Sequence, residues 1–187
     1  MFIQTEQTPN PATLKFLPGR DIMANGTSGN SADFPTAEAA NRSPLASALF
    51  GIEGVRGVFF GGDFVTVTKE DSRDWSFLKP AILAVIMEHF TSGQPLFAAG
   101  SALETAIEGD EGEIVAQIKE LLETRVRPAV AQDGGDIVFR SFEDGVVFLH
   151  LQGSCSGCPS STATLKAGIE NLLRHYIPEV REVRAAQ

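Results

Sequence analysis

The stretch that decides how this chain folds reads LHLQGSCSGCPSS at residues 149–161 and contains the only two cysteines, Cys155 and Cys158. Just upstream, strongly apolar side chains alternate with less apolar ones, which predicts a strand that ends at Gly153. Downstream, leucines and isoleucines recur on one face from about Ser160, which predicts a helix whose first turn tolerates the preceding proline. Both thiols are therefore expected on a turn between a strand and a helix.

The Cys-x-x-Cys spacing has three common uses: a redox-active dithiol, half of a zinc site and half of an iron–sulfur site. The free N–H groups and the dipole at a helix N-terminus favour negative charge, and hence the thiolate that a metal binds. Gly157 permits backbone angles that direct both sulfurs toward one point. Two glycines, three serines and a proline surround the pair, so we expect an exposed turn with the sulfurs outside the core rather than two inert side chains.

The chain is acidic, with a formal net charge of -9 and a pI of about 4.8. No segment is basic, whereas a nucleic-acid-binding protein carries lysines and arginines that neutralise phosphates. The longest apolar stretch, around residues 81–87, is far shorter than the roughly 20 residues that cross a bilayer. The composition therefore argues against nucleic acid and membranes as partners.

The first residues of the sequence, Met1–Glu6, resemble neither a signal peptide nor an arginine-rich amphipathic presequence. They predict a reducing, cytoplasmic location in a bacterial cell, with a mature mitochondrial form as the alternative. In a reducing compartment two cysteines serve as ligands or redox groups more often than as a structural disulfide.

Residues 1–90 are predicted to form one small domain with two β-hairpins and two helices. The strands are predicted at residues 2–6, 13–17, 55–60 and 64–68. Helices are predicted from Ser43 and Pro44 to Phe50, and from Trp75 to Phe90 with Pro80 as an alternative beginning. Residues 25–36 are predicted to be a loop, and the four strands are expected to make one sheet.

Residues 91–110 are predicted to be an acidic linker. They contain Glu104, Glu108 and Asp110 but no lysine or arginine. Their apolar part, residues 96–107, is suited to dock on a neighbouring domain.

Residues 111–187 are predicted to form the second domain. In order, it should contain a helix from about Glu111 that Pro128 kinks or ends, a hairpin over 137–142 and 146–151, a helix over 161–176 and a strand over 180–183. Asp133-Gly134-Gly135-Asp136 is predicted to be a turn whose carboxylates accept backbone N–H bonds rather than a metal site. The fold class is therefore α+β, with two small domains that each pack a short, mostly antiparallel sheet against helices.

The three histidines are predicted to be structural or surface residues. His89 and His175 fall in the last turns of helices, where a cation is favourable, and His150 falls on the less apolar face of a strand. The sequence contains no nucleophile with a recognisable base motif and no phosphate-binding loop. Chemistry is therefore confined to the two thiols.

The number of ligands separates the possible uses of the thiols. A dithiol oxidoreductase needs a longer alternation of strands and helices than residues 111–187 provide. Zinc and iron–sulfur clusters both take four ligands, and one chain offers two thiolates. A two-fold dimer would bring four thiolates together from two copies of the motif.

Several short motifs match one known family. In the C-terminal half they are GSCSGCPSS (153–161), Thr164-Leu165-Lys166, Gly168-Ile169-Glu170, Pro178-Glu179-Val180, Arg127-Pro128 and Asp133-Gly134-Gly135-Asp136. In the N-terminal half they are Gln7-Thr8-Pro9-Asn10-Pro11, Thr13-Leu14-Lys15-Phe16, Ser43-Pro44-Leu45-Ala46, Gly54-Val55 and Asp63-Phe64-Val65-Thr66-Val67-Thr68. The two halves resemble the C-terminal and N-terminal domains of Nfu, the NifU-like iron–sulfur cluster scaffold and carrier proteins.

The resemblance implies a carrier, not an enzyme, that holds a 4Fe-4S cluster between two protomers with Cys155 and Cys158 of each as ligands. A 2Fe-2S cluster or zinc is the alternative occupant. The implied partners are a second copy of the chain bridged by the cluster, apo iron–sulfur acceptor proteins and upstream cluster-assembly proteins. The implied domains are an Nfu N-terminal-like domain at 1–90, the linker at 91–110 and the cluster-binding domain at 111–187. A thiol–disulfide oxidoreductase or a structural zinc dimer is the alternative function.

Overall fold

The computed structural model describes residues 1–23, 31–99, 112–156 and 159–186. The chain divides into two compact units, Met1–Leu103 and Glu104–Gln187. Each unit packs one sheet against helices, so the fold is α+β with two small domains, as the sequence predicted. No helix in the described ranges is long and apolar enough to cross a bilayer.

The N-terminal unit contains a five-stranded antiparallel sheet. Its strands are β1 (Gln4–Gln7), β2 (Thr13–Leu17), β3 (Ala32–Phe34), β4 (Val55–Phe60) and β5 (Val65–Lys69), in the spatial order β1-β2-β5-β4-β3. Both predicted hairpins, β1 with β2 and β4 with β5, are confirmed.

Strand β3 was not predicted, because it falls within the stretch 25–36 that the sequence assigned to a loop; residues 24–30 lie outside the described ranges. Only three residues long, β3 is too short to show an alternating pattern. Phe34 is nevertheless fully buried, and its ring meets that of Phe60 edge-on with 4.9 Å between centroids. Pairing with β4, rather than local sequence, creates this strand.

The described residues of the N-terminal unit form three helices, α1 (Ala37–Ala40), α2 (Pro44–Phe50) and α3 (Trp75–Ser92). Helix α3 begins at Trp75 and contains Pro80, so the alternative beginning at Pro80 is wrong. The carboxylate of Asp74 accepts a hydrogen bond from the N–H of Ser76 (2.8 Å) and thereby caps the first turn ahead of the proline.

The segment that follows α3 stays attached to the N-terminal unit through Ala98. Ser43 Oγ donates a hydrogen bond to the carbonyl oxygen of Leu96 (2.6 Å). The N–H of Ala98 donates a hydrogen bond to the carbonyl oxygen of Arg42 (2.8 Å). Phe97 stacks on Phe34 with 6.5 Å between ring centroids. The apolar part of the predicted linker therefore docks at its beginning, whereas residues 100–110 lie outside the described ranges.

The first described element of the C-terminal unit is a helical run in three parts. These are α4 (Glu113–Leu121), a turn of π-helix (Leu122–Val126) and α5 (Arg127–Gln132). Pro128 was expected to kink or end this helix, but the irregularity falls one turn earlier and the chain continues as helix through Gln132. Pro128 is the second residue of α5, and the N–H of Arg127 just before it donates to the carbonyl oxygen of Leu122 across the π-helical turn.

A hairpin and a βαβ connection complete the C-terminal unit. Strands β6 (Gly135–Glu143) and β7 (Val146–Gly153) are antiparallel, and the turn residues Asp144 and Gly145 have φ of 50° and 82°. Helix α6 (Pro159–Tyr176) then leads to β8 (Glu182–Ala185), which pairs with β7 in parallel. The predicted last strand is thus present but shifted by two residues.

Candidate metal-binding turn

The chain leaves β7 at Gly153, which has φ of 65°, and turns through Ser154, Cys155 and Ser156 toward the beginning of α6. Two hydrogen bonds close the turn: the N–H and the Oγ of Ser156 both donate to the carbonyl oxygen of Gly153, at 3.1 and 2.9 Å. Thr162 Oγ1 in α6 donates to the carbonyl oxygen of Cys155 at 3.1 Å. The predicted placement of Cys155 between a strand and a helix is therefore correct.

The second predicted ligand, Cys158, lies outside the described residues, as does Gly157. Helix α6 begins directly after them at Pro159. The convergence of the two sulfurs thus stays a prediction.

Ser154 connects the cysteine turn to the turn that precedes β6. It is 3% exposed, its N–H donates to the carbonyl oxygen of Gly134 (3.2 Å) and its Oγ donates to that of Asp133. Two loops that are about 20 residues apart in sequence are thereby held side by side. The sequence around the two cysteines did not predict this contact, because serine is common in turns of every kind.

Cys155 is buried, which corrects the prediction of sulfurs on an exposed turn outside the core. The residue is 7% exposed and belongs to the apolar core of the C-terminal unit. A Cβ atom at Gly135 would lie 2.5 Å from Cys155 Sγ and 2.8 Å from the carbonyl oxygen of Gln152. The sulfur therefore packs directly on the backbone of β6, and only glycine at position 135 leaves room for it.

Asp136 lies in β6 and not in the turn that was predicted for it, but its carboxylate does accept a backbone N–H bond, from Ile137 to Oδ1 at 2.7 Å. Its main partner, however, is Arg127. Nε of Arg127 donates to Oδ1 at 2.8 Å and Nη2 donates to Oδ2 at 2.7 Å. These hydrogen bonds raise the pKa of Arg127 above its ordinary value. Sequence reasoning missed the pair, because it assigned Asp136 to a turn ahead of the strand.

The histidines lie in different environments. His89 is 6% exposed, and burial lowers the pKa of its imidazole. His89 is therefore a buried structural residue, in line with the prediction, although burial disfavours the cation that the last turn of a helix was expected to favour. His150 lies opposite Val138 in the β6–β7 ladder, and His175 is an exposed residue of the last turn of α6. Over the described parts of the chain, no three side chains of His, Cys, Asp or Glu come together as a metal site would require.

Family comparisons agree with the two-unit architecture. The profile of a family described as "Scaffold protein Nfu/NifU N terminal" matches residues 3–93, and that of the "NifU-like domain" matches residues 118–184. Together these two matches span most of the chain. The chain belongs to the Nfu/NifU-like family of iron–sulfur cluster scaffold proteins.

Individual relatives cover nearly all of the chain. The "NFU1 iron-sulfur cluster scaffold homolog, mitochondrial" of Drosophila persimilis is 57% identical over 184 residues, which are 98% of this chain and 64% of the relative. "NifU-like protein 5, mitochondrial" of Arabidopsis thaliana is 57% identical over 188 residues, which are 98% of this chain and 67% of the relative. The chain thus spans about two thirds of the length of these relatives.

Among solved structures, the solution structure of a NifU-like protein from Saccharomyces cerevisiae matches 52% of this chain and 85% of that chain. The two share 28% sequence identity, with a TM-score of 0.45.

The relatives also correct the predicted location. Both are named as mitochondrial proteins, so the prediction of a bacterial cytoplasmic protein is wrong. That prediction depended on Met1–Glu6, and those residues do not decide the compartment.

Proposed function

We propose that this chain carries a 4Fe-4S cluster between two copies of itself, with Cys155 and Cys158 of each copy as ligands, and delivers the cluster to apo-proteins. The observation that carries the proposal is the position of Cys155, at the end of β7 and just before α6, in a chain of the Nfu/NifU-like family. The proposal makes the protein a carrier with no catalytic activity of its own.

The supply of ligands supports a site that two chains share. An iron–sulfur cluster takes four protein ligands, usually thiolates, and each chain has two cysteines. The described residues bring no group of three or more metal-binding side chains together. Two copies related by a two-fold axis would supply the four thiolates.

The local structure suits a negatively charged cargo. Helix α6 is 18 residues long and begins immediately after Cys158. Free N–H groups at the beginning of such a helix favour the negative charge of thiolates and of the cluster that they bind. Cys155 is buried, and its burial limits the access of water to this one of the two proposed ligands.

The partners follow from the same proposal. The chain would receive the cluster from assembly proteins and pass it to acceptors inside mitochondria, the compartment named for its relatives. The N-terminal unit would select or dock acceptors, because every cysteine lies in the C-terminal unit. A cluster held by two ligands per chain leaves acceptor thiolates room to replace them one at a time.

Anaerobic reconstitution with iron and sulfide tests the proposal, with iron and sulfide counting and sizing of the product. We expect about four irons and four sulfides per dimer. A monomer that keeps a full cluster would contradict the shared site. A tightly bound zinc without a cluster would favour a structural dimer, and turnover of a disulfide substrate with a reductant would favour an oxidoreductase.

Ligand assignment needs variants with matched controls. Cys155→Ser and Cys158→Ser should each abolish stable cluster binding, whereas His150→Gln and His175→Gln should bind it normally. A normal cluster in either cysteine variant would refute that ligand. Loss of the cluster in one histidine variant would identify a ligand that the proposal does not include.

A further inference from the structure

A buried ion pair lies next to the cysteine turn and has no part in the ligand set. Arg127 contacts Asp136 through two hydrogen bonds, at 2.8 and 2.7 Å, that match the planar fork of the guanidinium to both carboxylate oxygens. The Asp136 side chain is 7% exposed and that of Arg127 is 22% exposed. Glu123, at 3.7 Å from Nη1 of Arg127, is a weaker second partner on the solvent side.

This pair fixes the beginning of β6. Asp136 Oδ1 accepts both from Arg127 Nε and from the backbone N–H of Ile137. The carboxylate is therefore held by α5 and by its own strand, and it fastens residue 136 to the first residue of α5. Bidentate arginine contacts define position and orientation more closely than a single charge contact does.

The residue before Asp136 is the one on which the ligand sulfur packs. Gly135 leaves no space for even a methyl group between its Cα and Cys155 Sγ. On the other side, Gly134 and Asp133 accept hydrogen bonds from Ser154, the residue before Cys155. A shift of the 133–136 backbone would therefore move Gly135, on which the sulfur packs. It would also move the carbonyl groups that hold Ser154, and hence the cysteine turn, in place.

We propose that Arg127 and Asp136 are positioning residues for Cys155, which hold the strand backbone that sets the place of its sulfur. This inference rests on the proposed function in so far as it treats Cys155 as a cluster ligand. Its structural content, the placement of the thiol, holds for the chain without a cluster. The two can therefore be tested apart.

A general contribution to stability is the alternative that must be separated. A buried ion pair adds little net stability over an apolar replacement, but removal of one partner leaves a buried charge and destabilises the fold. Loss of cluster in an Arg127 variant would thus be ambiguous alone. The decisive measurement must report on Cys155 while the chain remains folded.

The first experiment uses the full chain without cluster and with Cys158→Ser, so that Cys155 is the only thiol, and measures its rate of alkylation by iodoacetamide. Adding Arg127→Gln should speed alkylation by about tenfold or more, through local opening of the turn. The matched control is Arg174→Gln, which removes an exposed ion pair with Glu170 (3.7 Å) in the same unit. Its alkylation rate should stay within about twofold of the parent.

The dependence of alkylation on low urea concentrations separates the two roles. Local opening exposes little surface, so the faster alkylation of Arg127→Gln should depend weakly on urea. A steep dependence equal to that of global unfolding would overturn the positioning role, and so would a rate within about twofold of the parent. Arg127→Lys keeps the charge but loses the fork, and it should also alkylate faster than the parent. Full rescue by lysine would likewise overturn the inference.

The second experiment uses the chain with both cysteines and measures cluster loss to an iron chelator. The Arg127→Gln variant should lose its cluster several-fold faster than the Arg174→Gln variant. If the two variants differ in unfolding midpoint, the rates of cluster loss are corrected for that difference before they are compared. Fast alkylation together with no cluster in the parent would support the positioning role and refute the carrier function. Equal cluster lifetimes in both variants would refute positioning for the ligand.

Discussion

Glu170 in α6 accepts a hydrogen bond from the backbone N–H of Val183 in β8, at 3.2 Å. Strand β8 lies at the edge of the three-stranded sheet of the described residues and pairs with β7 on one side. The carboxylate thus satisfies an N–H that β7 does not pair. The contact ties the helix that follows the cysteine turn to the last strand of the unit.

Replacing Glu170 by alanine should lower the free energy of unfolding of the C-terminal unit by about 1–2 kcal/mol, because a charge-assisted hydrogen bond to the backbone is lost. Glu170→Gln keeps an acceptor oxygen and should lose less. Hydrogen exchange measured by NMR should show faster exchange of the Val183 amide in Glu170→Ala. Unchanged exchange there would show that the contact does not protect the edge.

Gly135→Ala should destabilise the C-terminal unit by about 1–3 kcal/mol, because the added methyl group would overlap Cys155 Sγ and the carbonyl oxygen of Gln152. Gly168→Ala in α6 is the matched control, since a Cβ there meets nothing within 4 Å. It should stabilise the helix by about 0.5–1 kcal/mol. Thermal unfolding of both variants, followed by circular dichroism, measures the contrast, and equal midpoints would contradict the close packing at Gly135.

Cys155→Ala should cost about 1 kcal/mol of stability in the chain without cluster, because it removes a sulfur from a packed core. This differs from the expectation for a thiol on an exposed turn, which predicts no cost. Urea unfolding compared with the parent chain measures it. A variant as stable as the parent would show that the sulfur leaves the core in solution.

The stability of the N-terminal unit should fall as the pH drops below about 6.5, the ordinary pKa of histidine. Burial lowers the pKa of His89 in the folded chain, so the unfolded chain takes up a proton first and is favoured as acid is added. The loss should grow as the pH falls further, by at most about 1.4 kcal/mol for each pH unit, because one group is involved. Urea unfolding followed by the fluorescence of the single tryptophan, Trp75, measures it.

The control for this titration is His89→Gln, which removes the ionisable group. The variant should be less stable than the parent at pH 7.5 and should show a flatter profile between pH 7.5 and 5.5. If both chains lose the same stability over that interval, another group is responsible.

Residues 111–187 alone should dimerise on reconstitution and hold the cluster, because both cysteines and the hairpin and helix around them lie in that range. Transfer to several apo-acceptors should be less selective than with the full chain. Equal rates to every acceptor would remove the targeting role from the N-terminal unit. A fragment without cluster would place the boundary elsewhere.

Local signals predicted most of the elements. Each of these signals lies within a few neighbouring residues, and the structure agrees with them. They are the Ser43-Pro44 helix start, the turn at Asp144 and Gly145, and the alternation of apolar residues in the hairpins. Strand β3 was missed because its stability comes from β4, and the parallel pairing of β8 with β7 depends on where α6 returns the chain.

The sequence predicts that Cys155 lies between a strand and a helix, and the structure agrees. It does not predict the surroundings of the sulfur. Its burial depends on Gly135, which is 20 positions earlier, and the ion pair depends on how α5 is oriented toward β6. Such contacts between distant segments leave no periodic trace in the sequence.

The turn of π-helix at Leu122–Val126 lets the apolar faces of α4 and α5, before and after it, point toward the same core. Ile118 in α4 and Val130 in α5 are both buried in the same core. Twelve residues of regular α-helix, at about 100° each, would place these side chains about 120° apart around the axis, whereas one extra residue in a turn reduces the angle to about 20°. The turn therefore acts as a one-residue insertion. Without the extra residue, the helical run could not both bury Ile118 and keep the contact between Arg127 and Asp136.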